Sequence, residues 1–313
     1  MTSSDRSCDE DGHDVEAALI LRRIPPDSAL SSRPLFALSL DSGRGRNSRD
    51  EQGAVIVVGG AGGIGSAVVT AYLERRIDVA VVDKSAGPGI TASSSGGQLH
   101  HVVADVTQPG EIARARAELA RLDWSFAHLV SLAGGALTVE FGTLTDIDAS
   151  SIEQSIELNL TSHILLTREF LLLLDEDSRE PQRDRDRSIT LVSSINALRD
   201  YGLPAYSAAK AGMFGFVYAM AAELGRKRIR INAVVPGTVV TPSTQKQQPK
   251  DFEALRRGAA LERLTRPEEV AAAVHAVSHI LTAVTGQQLV VDCGQLVKAP
   301  EWRAGESEGA AGG

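Results

Sequence analysis

The chain of 313 residues reads as α/β: a single doubly wound parallel sheet of about seven strands with helices on both faces. Three observations carry that reading. Short runs of Val, Ile, Leu and Ala alternate with segments of helical period from Ala54 to Asp292, and such alternation marks a parallel sheet covered on both sides. The first run passes straight into Gly59-Gly60-Ala61-Gly62-Gly63-Ile64-Gly65 and then into a helical pattern, the strand, turn and helix order of a Rossmann-type dinucleotide fold. The composition, 43% hydrophobic and 23% charged, is ordinary for a globular chain long enough to bury one full core.

Residues 1–52 are rich in Ser, Asp, Arg and Pro, with two apolar patches at Ala17 to Leu21 and Leu35 to Leu38, and are expected to form a disordered extension. Order begins at Ala54 to Val58, β-branched and apolar throughout, as a strand buried on both faces must be. In the turn that follows, Gly59, Gly62, Gly63, Ile64 and Gly65 form a candidate phosphate cradle. The glycines admit a pyrophosphate close to the backbone, and the helix beginning near Ala67 offers free N–H groups and a positive dipole end. The second strand, Asp78 to Val82, ends at Asp83, about twenty residues past the glycines. A carboxylate there accepts from both ribose hydroxyls and repels a 2′-phosphate, which selects NAD over NADP, with the adjacent Lys84 acting in the opposite sense. Ser93 to Gly97 is a loop. Leu99 to Ala104 is a third strand that delivers Asp105 and Val106 to the adenine side.

Pro109 to Leu122 reads as a helix, and Ala127 to Leu132 as a fourth strand ending in Ala133-Gly134-Gly135, small enough to pass beneath a cofactor. Asp146 to Leu174 keeps helical period around Asn159, a poor interior helix residue unless its side chain has another task. The charge run Asp175 to Arg187 reads as a solvated loop, leading into the strand Ser188 to Val192 and Ser193-Ser194. Tyr206 and Lys210 follow, four apart and so on one helix face. An ammonium near a phenol favours the phenolate and draws its pKa from about 10 towards working pH, where general acid/base catalysis is most effective. Arg228 to Val235 is a sixth strand, ending in Pro236-Gly237. A polar loop runs from Thr241 to about Lys250, a helix starts at Arg266-Pro267, and Gln288 to Asp292 closes the sheet before the tail Lys298 to Gly313.

A net charge of -8 without a basic block argues against nucleic acid as the partner. No run approaches the roughly 20 apolar residues a membrane helix needs, so a soluble protein is expected. Acids among the first residues speak against a secretory or mitochondrial leader, and two cysteines, Cys8 and Cys293, fit a reducing cytoplasm. His275 and His279 lack a third ligand, so no metal is expected. His100-His101 reads as a solvated pair.

The ordered set of motifs resembles the short-chain dehydrogenase/reductase family over about residues 53–297. Val58-Gly59-xxx-Gly63-Ile64-Gly65 is similar to its Thr-Gly-x-x-x-Gly-x-Gly turn, and Ser131-Leu132-Ala133-Gly134 to its Asn-Asn-Ala-Gly strand end. Asn159, Ser194, Tyr206-x-x-x-Lys210, Pro236-Gly237 with Thr241, and Val291-Asp292 follow in the family's order. The resemblance implies Tyr206 as acid/base, Lys210 on the nicotinamide ribose, Ser194 on the substrate oxygen and Asn159 holding a relay water. It also implies Pro236, Gly237, Val239 and Thr241 against the nicotinamide, with the Thr241 hydroxyl on its carboxamide. Val58 and Ser131 depart from the pattern and alter two supporting hydrogen bonds; Cys293 stands where Gly is common and reads as a packed residue. The implied protein is an NAD-dependent oxidoreductase of secondary alcohols or ketones, a homo-oligomer and specifically a tetramer. An NADPH-dependent 3-oxoacyl-thioester reductase and a non-catalytic dinucleotide sensor remain open beside it. Phe141, Leu198, Tyr201 and Leu203 suggest a partly apolar substrate.

Overall fold

The computed structural model describes residues 53–85, 96–176, 185–199, 202–242, 244 and 252–297. The proposed extension 1–52, most of the Ser93 to Gly97 loop, the middle of the charge run, Tyr201 and the tail 298–313 lie outside the described residues. The strands are β1 Ala54–Val58, β2 Val79–Asp83, β3 Leu99–Val103, β4 Phe126–Ser131, β5 Arg187–Val192, β6 Ile229–Pro236 and β7 Gln288–Val291. The helices are α1 Gly63–Glu74, α2 Pro109–Leu119, α3 Ala149–Ile156, α4 Ser162–Glu176, α5 Pro204–Arg226, α6 Phe252–Arg257 and α7 Pro267–His275.

All strands pair in parallel in the order β3-β2-β1-β4-β5-β6-β7. The chain therefore winds outward from β1 in one direction and from β4 in the other. The crevice where the direction reverses, between the carboxyl ends of β1 and β4, is where such sheets bind ligands.

Alternation within β1 shows how the layers form. Ala54, Ile56 and Val58 join a core with Ile112, Leu119, Phe170, Met213 and Val217, from α2, α4 and α5. Val55 and Val57 join the opposite core with Val68, Tyr72, Val270 and Val274, from α1 and α7. Both faces are covered, which is why the strand carries no polar residue.

The long helix expected from Asp146 to Leu174 is broken in the structure. Asp148 caps α3, its carboxylate accepting the Ser151 N–H at 2.8 Å, so the helix starts at Ala149. Glu157–Thr161 is then a π-helical segment before α4, and Asn159 is its buried centre. The end of the charge run is structural rather than solvated. Arg187 opens β5 buried and donates to the Leu174 and Lys227 carbonyls at 2.7 and 2.5 Å. Asp186 takes a bidentate pair from Arg230 at 2.8 and 2.6 Å. Beyond the polar loop after Thr241, the short helix α6 was not anticipated.

Candidate active site

A cleft of about 1050 Å³ opens at the β1/β4 reversal. The Gly-rich turn forms one wall. Gly59 has φ +83, and a Cβ on it would sit 2.7 Å from the Ala133 nitrogen, so only glycine lets the turn after β1 pass the end of β4. Gly62 is the N-cap of α1 and makes no side-chain cap bond, which leaves helix N–H groups pointing out for an anion. Gly63, Ile64 and Gly65 also line this wall.

Asp83 is stapled to the turn: one carboxylate oxygen accepts the Ala61 N–H at 3.0 Å, the other the Ser85 N–H at 3.1 Å. It lines the cleft at the end of β2, where a ribose would come to it. Asp105 and Val106 line the same end. Asp105 accepts from the Thr107 N–H and hydroxyl at 3.0 and 2.7 Å, and these bonds hold its carboxyl below the usual range.

Across the cleft, β5 delivers Ser194 and α5 delivers Tyr206 and Lys210. Ser194 begins a 3-10 turn, donating to the Asn196 side-chain oxygen at 3.0 Å, and its hydroxyl acts to lower the Tyr206 pKa. Lys210 is 3% exposed; its Nζ donates to the Val192 carbonyl at 3.2 Å and lies 5.7 Å from the Tyr206 ring centre. Burial lowers the Lys210 pKa to about 7.

The expected depression of the phenol's pKa is absent from this geometry. Burial pushes the Tyr206 pKa up, the Ser194 hydrogen bond offsets part of this, and the Glu140 carboxylate adds to the rise. The physical reason is that desolvation penalises the phenolate.

Asn159 stands behind the cleft. Its Oδ1 accepts the Gly135 N–H at 2.9 Å, and its Nδ2 donates to the Gly135 and Ser155 carbonyls, both at 3.0 Å. The side chain is thereby committed to clamping the end of β4, and the π segment is what turns it there. Ser131 pairs with His163 from α4, Oγ to Nδ1 2.7 Å, which gives the altered strand-end bonding a concrete form. His163 is kept neutral, its pKa driven well down by burial and then by the Lys210 charge.

Ala133 and Gly134 form the floor, and Pro236, Gly237, Val239 and Thr241 the remaining side. Gln295 fixes this segment by accepting the Thr238 N–H at 2.6 Å. The Thr241 hydroxyl, expected on a carboxamide, is within 3.2 Å of the Thr244 hydroxyl and N–H. Leu137, Phe141, Ile195 and Leu203 line the substrate end, whereas Leu198 lies outside the cleft, on a smaller neighbouring hollow.

Two residues here carried no sequence signal. Glu140 is a lone acid in a loop, and His163 follows an Asn whose π turn was not foreseen. His128, His275 and His279 pack against one another. The His279 ring stacks on His275 with centres 5.1 Å apart and meets His128 at a tilt, centres 4.0 Å apart. Among the described residues no group of three or more His, Cys, Asp or Glu side chains has a metal-holding arrangement. His100, read as solvated, contacts Glu118 at 3.3 Å and the edge of Trp124.

A glycine cradle at a topological switch point, facing a Ser, Tyr and Lys set, defines a dinucleotide-dependent oxidoreductase of the Rossmann class. A family model described as enoyl-(acyl carrier protein) reductase matches residues 59–295. A 2,5-dichloro-2,5-cyclohexadiene-1,4-diol dehydrogenase from Sphingobium indicum is 30% identical over 250 residues, 77% of this chain and 95% of its own. A human 3-oxoacyl-(acyl-carrier-protein) reductase is 31% identical over 244 residues, 76% and 95% of the two chains. The crystal structure of a short-chain dehydrogenase/reductase-family oxidoreductase from Burkholderia thailandensis superposes with TM-score 0.67 at 31% identity, covering 82% of this chain and 97% of that one. The chain belongs to the short-chain dehydrogenase/reductase family, NAD(P)-dependent oxidoreductases acting on CH–OH groups. Among the described residues no helix is long and apolar enough to cross a membrane.

Proposed function

We propose that this protein interconverts a secondary alcohol and a ketone with NAD, Tyr206 serving as the acid/base. The observation that carries the reading is the opposition of two walls: the Gly59 to Gly65 cradle on one, Ser194, Tyr206 and Lys210 on the other. Bound in the cleft, the nicotinamide supplies the hydride acceptor or donor. The chain's own groups do the rest. Helix α1 and the glycines hold the pyrophosphate, and Asp83 takes the adenine ribose hydroxyls and excludes a 2′-phosphate. Lys210 holds the nicotinamide ribose. Ser194 donates to the substrate oxygen, and Tyr206 removes the hydroxyl proton in oxidation or returns it in reduction. Asn159 keeps the floor at Gly135 rigid, so that the reacting groups meet at fixed spacing.

The apolar lining at Leu137, Phe141, Ile195 and Leu203 favours a substrate with an apolar body. Reduction of a 3-oxoacyl thioester with NADPH is a second reading, supported by the name of the human relative and opposed by Asp83. We further propose a homotetramer in a reducing cytoplasm, built through α4 and α5. Leu172 and Tyr218 on these helices are 49% and 61% exposed, the kind of surface an interface covers. The catalytic domain is assigned to residues 53–297, between an N-terminal extension and a short C-terminal tail.

The test is a screen of secondary alcohols and ketones with NAD(H) and NADP(H), read by NADH or NADPH absorbance. Turnover with a clear NAD(H) preference is expected. A clear NADPH preference with thioester substrates would favour the second reading, and tight NAD binding without any turnover would point to a cofactor sensor.

A further inference from the structure

Glu140 sits on the 3-10 turn Thr138–Phe141, 1% exposed, and its carboxylate gathers three parts of the site. One oxygen accepts the Leu137 N–H at 3.0 Å. The other accepts the Ser155 hydroxyl at 3.0 Å and the backbone N–H of Tyr206 at 2.8 Å. All three donors are neutral, so the charge is held without a salt bridge to them.

What makes a buried carboxylate tolerable here is the start of α5. Its N-cap, Leu203, has a left-handed φ of +57 and no side-chain acceptor, and Pro204 follows at the first helical position. Tyr206 therefore carries one of the unpaired N–H groups of a helix terminus, at the positive end of the dipole. Glu140 supplies from a distant loop the acceptor that an N-cap Ser or Asp would supply locally.

The same side chain reaches further. Ser155, whose hydroxyl it accepts, gives its own carbonyl to Asn159, and Leu137 and Phe141 on either side of Glu140 line the substrate end of the cleft. We infer that Glu140 is a positioning residue for the reaction: it fixes the Tyr206 end of α5 against the substrate loop and the Asn159 segment, and it places a carboxylate at the helix end that carries the phenol. This rests on Tyr206 being the acid/base.

Three titratable groups bear on the Tyr206–Lys210 pair: Lys210 from α5 itself, Glu140 from the turn, and the neutral His163 from α4, which lies within electrostatic reach of Lys210. Of these, Glu140 is the anion, and it opposes ionisation of the phenol. In alcohol oxidation the base form of Tyr206 is required, so activity rises with pH through the phenol's apparent pKa. Removing the anion moves that limb to lower pH.

Glu140→Gln keeps the volume and an oxygen for the Tyr206 N–H, but it removes the charge and sets an amide donor against the Leu137 N–H. On the full chain with saturating NAD and an alcohol that the wild type oxidises, kcat is expected to fall about tenfold, the loss of one well-placed charged hydrogen bond. The ascending limb of the pH profile is expected to move down by about half a pH unit or more. Affinity for NAD stays within about twofold, because Glu140 touches no part of the cradle. Glu140→Asp keeps the charge but shortens the reach, so kcat falls while the limb stays at the wild-type pH.

Wild-type kcat in E140Q overturns the inference, and so does a lowered kcat whose pH limb coincides with the wild type's. Should E140Q fail to fold, E140D decides: wild-type kcat there overturns it. Tyr206→Phe in the same series separates the two layers. Turnover by Y206F sinks the acid/base reading itself, whereas an inactive Y206F beside an unshifted E140Q profile removes only the role given to Glu140.

Discussion

The cluster of His128, His275 and His279 makes the protein's stability depend on pH in a way that one substitution isolates. His279 lies between the rings of His128 and His275; its Nδ1 is 2.7 Å from the Ser278 hydroxyl, and its Nε2 is buried without a partner. Burial first, then the neighbouring His128 and His275, bring its pKa from 6.5 down to about 2, with Arg230 acting in the same sense and Asp186 against it. A folded-state pKa depressed in this way means that the unfolded chain takes up the proton first. The stability is present above pH 6.5 and is lost as pH falls from there towards 2. Between pH 7 and pH 5 a single such site costs about 2 kcal/mol. With a urea m-value of about 3 kcal/mol/M for a domain of this size, the midpoint falls by about 0.6 M from this residue alone. His279→Phe keeps an aromatic ring in the stack but cannot titrate, and it loses the Ser278 hydrogen bond, worth about 1 kcal/mol at either pH. Urea titrations of both proteins at the two pH values are the assay. The stability gap between wild type and variant should change by about 2 kcal/mol in the variant's favour on going to pH 5. A gap that is the same at both pH values refutes the reasoning, since His163 and the surface carboxylates titrate alike in both proteins.

Gly134→Ala places a Cβ 2.5 Å from the Asn159 Oδ1 and 3.2 Å from the Lys210 Nζ, at a φ of +141 that suits only glycine. Turnover is expected to drop at least about a hundredfold in a protein that circular dichroism reports as folded, and near-wild-type kcat would contradict the packing described at the floor. Asp83→Ser removes the carboxylate proposed to take the adenine ribose, and the ratio of kcat/KM for NADPH over NADH should rise by about tenfold or more; an unchanged ratio would remove the selectivity role from Asp83.

What was legible in the sequence follows from physical constraint. β1 must be apolar on both faces and must be followed by glycines to pass β4 at Ala133, so Ala54 to Gly65 announced its structure in composition alone. Tyr206 and Lys210 share a helix face by spacing, and the misfit of Asn159 in a helix interior pointed to a side chain with another task, though not to the π turn that accommodates it. What stayed hidden depends on partners far apart in the chain. Glu140 is an ordinary loop acid until α5 brings the Tyr206 N–H to it. The His279 ring pairs exist only where the segment after α7 brings His279 to His128 of β4. Asp186 reads as a solvated charge because its partner, Arg230, lies 44 residues further along the chain. Helix spacing brings Lys210 near Tyr206 but says nothing of the desolvation that pushes the phenol's pKa up.

The most direct measurement is pre-steady-state hydride transfer by Tyr206→Phe beside the wild type, with NAD and an alcohol that the wild type oxidises. NAD affinity is expected to stay within about twofold, while the rate of NADH formation falls by about a thousandfold, the range a positioned general acid/base supplies. NADH formation at the wild-type rate in Y206F would contradict the assignment of the phenol, and with it the proton path through Ser194, Tyr206 and Lys210.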